Sequence, residues 1–65
     1  MIALVRPNGH ALIVNADLIE TIERNDDGDR SIITLTTGNV LVVCETPERV
    51  RDAVLEYRRA IVSGP

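Results

Sequence analysis

Three glycines, each set among turn-forming residues, cut the first 45 positions of this chain into pieces too short for most helices but long enough for strands. They lie in "PNG" at 7–9, "NDDGD" at 25–29 and "TTGN" at 36–39. Asn, Asp and Gly accept the left-handed and turn conformations that a chain reversal needs. Asn8 and Gly9 both tolerate positive φ, which a two-residue hairpin turn demands. Gly38 marks a second reversal, and the 25–29 segment reads as a solvated hairpin loop rather than a calcium loop. An EF-hand would need an acidic residue twelve positions from the first ligand, which this spacing lacks.

Between the turns the apolar residues follow a period of two. Ile2 and Leu4 alternate with Ala3 and Val5, Ala11 and Ile13 with Leu12 and Val14, and Ile33 and Leu35 with Thr34 and Thr36. This pattern predicts strands over about 1–6, 10–14, 19–24, 31–36 and 40–44. The second strand is apolar on both sides, so both of its faces are expected to be covered, by a helix or by a second subunit. Val40 to Cys44 is likewise apolar on both sides and reads as central or interface-covered.

Two readings compete for "NADLIETIE". In the first, Asn15 caps a tight corner of about one helical turn, Asp17 adds local hydrogen bonds, and a strand follows with Ile22 inward between Thr21 and Glu23. In the second, a helix runs from Ala16 to Glu23. The next helix start is clearer: Thr46 supplies a hydroxyl at the cap, Pro47 suits the first helical position, and Glu48 places an acid where the helix dipole is positive. Val50, Ala53, Val54, Tyr57 and Ile61 then recur at spacings of three and four, predicting a helix over about 47–62 with one stripe on the sheet. Arg58 and Arg59 fall near its C-terminus, favourable against the dipole. Leu55 and Val62 lie off that stripe beside Arg51 and Arg58. They read either as ordinary exposed residues or as a contact surface for another subunit or partner.

The fold class that follows is α+β: a small, bent, mainly antiparallel sheet of four to five short strands with one C-terminal helix packed on it. A 65-residue chain makes one domain, 1–65, and buries only about 60% of the surface its unfolded form exposes. Chains of this size usually need a staple. Cys44 is the only cysteine, so neither an internal disulfide framework nor a zinc site of cysteine pairs is available. Association with other protein, as a dimer or small ring, is the expected remedy. With Tyr57 as the sole aromatic residue, the core must be aliphatic.

No constellation looks catalytic. His10 follows a turn glycine with no motif to place a nucleophile or carboxylate beside it, and reads as a surface histidine. Cys44, in an apolar run without basic neighbours, reads as a small buried thiol. The glycines show no phosphate-cradle spacing and the hydroxyl residues no nucleophile elbow. No catalytic residue, cofactor or metal is therefore expected, and an enzyme is not. Ten acidic residues against seven arginines argue against a general phosphate-binding surface. Arg49, Arg51, Arg58 and Arg59 are interleaved with Asp52 and Glu56, which reads more simply as intrahelical ion pairing. No apolar run approaches the length of a membrane span and no secretion signal opens the chain, so the cytoplasm is the expected compartment.

The strings "MIALVRPNG", "NADLIETIE", "ITLTTG" and "VVCET", in this order and spacing, resemble the FlbD/SwrD family of small flagellar proteins over roughly residues 1–58. Departures are Pro7 before Asn-Gly, Ala16 in place of a proline, and a longer loop at "NDDGDR". The resemblance implies a non-enzymatic cytoplasmic accessory of flagellar and swarming motility, working at or near the motor, with a motor or stator component as its expected partner. On that reading Asn8, Gly9, Asn15, Asp17 and Gly38 are turn and corner residues, and Thr46 and Pro47 cap the helix. A partner surface would lie on Leu55, Val62, Arg51 and Arg58 or on an exposed strand edge. The plan of five strands and a terminal helix is also similar to the CsrA regulators, which would imply RNA binding through arginine-bearing strand edges, with Arg6 at the first edge. The acidic balance and the different corner weaken that alternative.

Overall fold

The structure is a computed structural model that describes residues 1–26 and 28–62, with side chains as far as residue 60. Strands β1 (Ile2–Val5) and β2 (Ala11–Val14) form an antiparallel pair, with Ile2 opposite Val14 and Val5 opposite Ala11. A single 3-10 turn, Ala16–Leu18, leads into β3 (Ile19–Arg24), which pairs with β4 (Ser31–Leu35), and β4 with β5 (Val40–Val43), all antiparallel in the order β3-β4-β5. The chain then enters α1 (Pro47–Val62). The fold is α+β, with the bent sheet divided into a two-stranded and a three-stranded part.

Both tight hairpins close in the same way. Gly9 N–H donates to the Arg6 carbonyl at 2.8 Å and Arg6 N–H to the His10 carbonyl at 2.9 Å; Gly38 and Leu35 repeat this with Leu35 and Asn39 at 2.9 and 2.8 Å. Each loop is therefore three residues long, a type I turn followed by one left-handed glycine. Gly9 has φ +89° and Gly38 φ +92°, while no non-glycine among the described residues has positive φ. This corrects the two-residue turn expected at Asn8 and Gly9. Pro7 holds its own φ near −65°, which suits the first central position of a type I turn and leaves the left-handed position to Gly9 alone. Asn8 contributes through its side chain, accepting from His10 N–H at 3.0 Å.

At the corner, the Asn15 side chain accepts from Asp17 N–H at 3.1 Å, and Leu18 N–H donates to the Asn15 carbonyl at 3.0 Å. Asp17 joins this turn through its backbone, not its carboxylate. The competing helix over 16–23 does not form. Residues 19–24 instead pair with β4 as a strand, with Ile19 and Ile22 half-buried, and a β-bulge between Ile19 and Thr21 leaves both Glu20 and Thr21 exposed. Thr46 caps α1, its hydroxyl accepting from Arg49 N–H at 3.2 Å and its carbonyl from Val50 N–H at 3.0 Å.

The core is aliphatic. Ile2, Leu4, Val14, Ala16, Ile33, Val43, Val50 and Val54 are buried, and Ala53 and Tyr57 pack against them from α1. Ile61, the last member of the predicted stripe, has its side chain outside the described residues. Ser31 is fully buried, and its hydroxyl donates to the Glu45 carbonyl at 2.7 Å, which fastens the start of β4 to the exit of β5. The two parts of the sheet meet beside it. Cys44 N–H donates to the Val5 carbonyl at 2.8 Å, and Val5 N–H donates to Glu45 Oε1 at 3.1 Å.

Three expectations are corrected here. Strand β5 is an edge, not a central strand, and Val40 and Val42 are exposed on it. The outer face of β2 is not covered by the helix, the first of the two covers expected for it, and Ile13 is 64% exposed. Cys44 is exposed, because it follows core-facing Val43 and alternation turns it outward.

Candidate functional site

The polar chemistry of the described surface is structural. Arg24 reaches from the end of β3 to the first turn of α1, where its Nη2 donates to both oxygens of Glu48 at 2.6 and 2.9 Å. Asp29 stands 3.8 Å from the same guanidinium. The bidentate bond from Arg24 lowers the Glu48 pKa from its usual value, and the charge of Arg24 adds to the effect. Both partners are about half exposed, so the pair orients strand against helix more than it stabilises either. On α1, Arg51 pairs with the adjacent Asp52 at 3.2 Å, a neighbour contact and not the four-residue spacing expected for intrahelical pairs.

No reactive arrangement is assembled among the described residues. No group of three His, Cys, Asp or Glu side chains could hold a metal ion. His10 is exposed at the mouth of the first hairpin, and the Cys44 sulfur lies 3.4 Å from the Arg6 carbonyl. Two hollows are shallow. One, between β3 and the start of α1, is lined by Ile22, Pro47, Glu48 and Arg51. The other, between the start of β1 and one flank of α1, is lined by Met1, Ile2, Ala3, Ala53 and Ala60 together with Glu56 and Tyr57. Both are open, whereas small-molecule sites are concave and enclose most of their ligand.

The exposed apolar residues are more informative. On α1 the structure places Arg51, Leu55 and Arg58 exposed at spacings of four and three, and helical position 62 continues that face. The Val62 side chain lies outside the described residues. Leu55 is 47% exposed, less than Ile13 at 64% or Val40 at 59%. The most exposed branched aliphatics therefore sit on strands. Ala3, Val5, Ala11 and Ile13 form the outward face of β1–β2, all exposed and none polar, since Ile2, Leu4, Leu12 and Val14 take the inward positions. Sequence reasoning expected this face to be covered by a helix or a second subunit, and the helix does not cover it. The signal was present in "ALIV", a run apolar on both parities in a strand that then gains only one neighbour.

Of the arginines, Arg24 and Arg51 are paired with acids, and Arg6 stands at the hairpin mouth. No described helix is long and apolar enough to cross a membrane.

Among curated proteins and among solved structures, none matches the chain. The family model of flagellar and swarming motility proteins, FlbD, matches residues 1–62. That match takes in both glycine hairpins, the Asn15 corner and the whole of α1, so the chain belongs to the FlbD family of flagellar and swarming motility proteins.

Proposed function

We propose that this protein is a non-enzymatic accessory of flagellar motility that acts by binding other protein at the cytoplasmic face of the motor. Family membership supplies the motility role. The observation that supports binding is the distribution of apolar surface: Met1, Ile13, Val40 and Leu55 are all between 47 and 64% exposed, against eight buried hydrophobics among the described residues. Leu55 is exposed on one helix face with Arg51 and Arg58, and an apolar residue rimmed by charge is the make-up of a protein contact surface. The helix face carrying Arg51, Leu55, Arg58 and Val62 is the proposed contact for a motor or stator component, with Leu55 as the apolar anchor and the arginines as its rim.

Affinity purification from motile cells tests this reading. Recovery of a rotor or stator protein with the wild type, and its loss with Leu55→Asp and Val62→Asp together, is the expected result. Absence of any flagellar component from the wild-type eluate would overturn it.

A further inference from the structure

Strand β2 has an open edge that the rest of the fold does not defend. Arg6 N–H bonds the His10 carbonyl, which fixes the alternation of the antiparallel ladder. Leu12 and Val14 therefore turn their N–H and C=O groups toward β1, and Ala11 and Ile13 turn theirs away. Strand β1 lies on one side of β2, and among the described residues no strand pairs on the other. A row of unpaired backbone groups is a template for another strand, and proteins blunt such edges with charges, prolines or bulges. The edge of β3 shows these devices, with Glu20, Glu23 and Arg24 along it and a bulge after Ile19. The edge of β5 runs on into a residue that is already engaged, since Cys44 N–H just past the strand meets the Val5 carbonyl and leaves room only for Val40 to Val43. Strand β2 has none: "ALIV" carries no charge and no proline, and its register with β1 is unbroken.

We infer that β2 is a self-pairing edge, and that the β2 strands of two copies join antiparallel about a two-fold axis at Leu12 to make one four-stranded sheet. In this register Ala11 bonds Ile13 of the second copy and Ile13 bonds its Ala11, so all four outward groups on each strand are used. Leu12, half-buried at the edge, meets its own copy on the core side. Charge favours a second copy as the occupant. One end of β2 carries His10, and the other leads through the Asn15 corner to Asp17. Antiparallel pairing sets the imidazole of each strand toward the acidic end of the other, with no charge between.

Sedimentation of the full chain across a dilution series, with hydrogen exchange at both ends of the series, tests this. The mass should rise from one chain to two with concentration. The amides of Ala11 and Ile13 should become protected only in the dimer, while those of Leu12 and Val14 are protected throughout. Ile13→Lys should weaken dimerisation at least tenfold, and Ala11→Pro, which removes an outward donor, should do the same. Leu55→Asp should leave the dimer intact, which separates this edge from the helix face of the motility reading. A chain that stays monomeric at millimolar concentration, with fast exchange at Ala11 and Ile13, would overturn the inference. So would a dimer that Leu55→Asp dissociates and Ile13→Lys does not, or protection of those amides only on adding a co-purified flagellar protein.

Discussion

The two tight hairpins share one turn and have opposite surroundings. Arg6–His10 and Leu35–Asn39 close with the same pair of backbone bonds and the same left-handed glycine. Yet the second hairpin gains β3 as a third strand, and Ile33 and Val43 on it are fully buried. The first hairpin gains no further strand. It is held at its ends, by Cys44 and Glu45 at Val5 and by the corner after Val14, and its outer face stays bare. A local turn thus builds the same hairpin twice, each with one face in the core, and only the neighbours decide that β4 is flanked on both sides while β2 keeps a single partner.

Substitutions at two isoleucines should expose this difference most strongly. Ile33 is 0% exposed and Ile13 64%, so Ile33→Ala should cost about 2–5 kcal/mol of unfolding free energy. Ile13→Ala should stay within about 0.5 kcal/mol in the monomer, as exposed substitutions usually do. Denaturant unfolding at a concentration low enough to exclude association measures both, and equal costs would break the comparison.

The shared turn predicts equality where the isoleucines predict contrast. Gly9→Ala and Gly38→Ala each put a Cβ on a left-handed residue, at φ +89° and +92°, with open space around it. The cost is therefore backbone strain alone, about 1–2 kcal/mol in each case. A much larger loss at Gly38 would show that the three-stranded sheet amplifies turn strain that the two-stranded sheet absorbs.

The smallest effect belongs to Arg24 and Glu48, which tie the three-stranded sheet to α1 and have no counterpart on the first hairpin. Arg24 lowers the Glu48 pKa in the folded state, so the folded carboxyl binds its proton less readily than the unfolded one. The stabilisation is present above the unfolded value near 4.5 and is lost as the pH falls through the lower folded value. An NMR titration of Glu48 should show its midpoint rise in Arg24→Ala. The stability difference between wild type and that variant should shrink as the solution is acidified below pH 4.5.

Much of the fold was legible because its signals are local. The Asn15 cap, the Thr46-Pro47 helix start and the strand alternation each depend on a few neighbouring residues whose backbone preferences do not need the rest of the chain. Ser31 was not legible as a core pin. A lone serine at a strand start gives no sign that the Glu45 carbonyl will come within 2.7 Å of it. The candidate surfaces were legible in part. Leu55 stood off the helix stripe and is exposed, whereas the bare face of β1–β2 looked like buried strand, since "ALIV" reads the same whether or not a second sheet covers it.

By itself, then, the sequence determined the turns, the caps, the strand and helix periods and membership of the flagellar family, all properties of short strings. Only the tertiary structure decided that β5 is an edge, that Cys44 points outward and that β2 is left with one neighbour. The physical reason is that burial and edge position depend on how distant strands meet, here through Cys44 N–H and the Val5 carbonyl at 2.8 Å, and no alternation of apolar residues encodes which neighbour a strand will find.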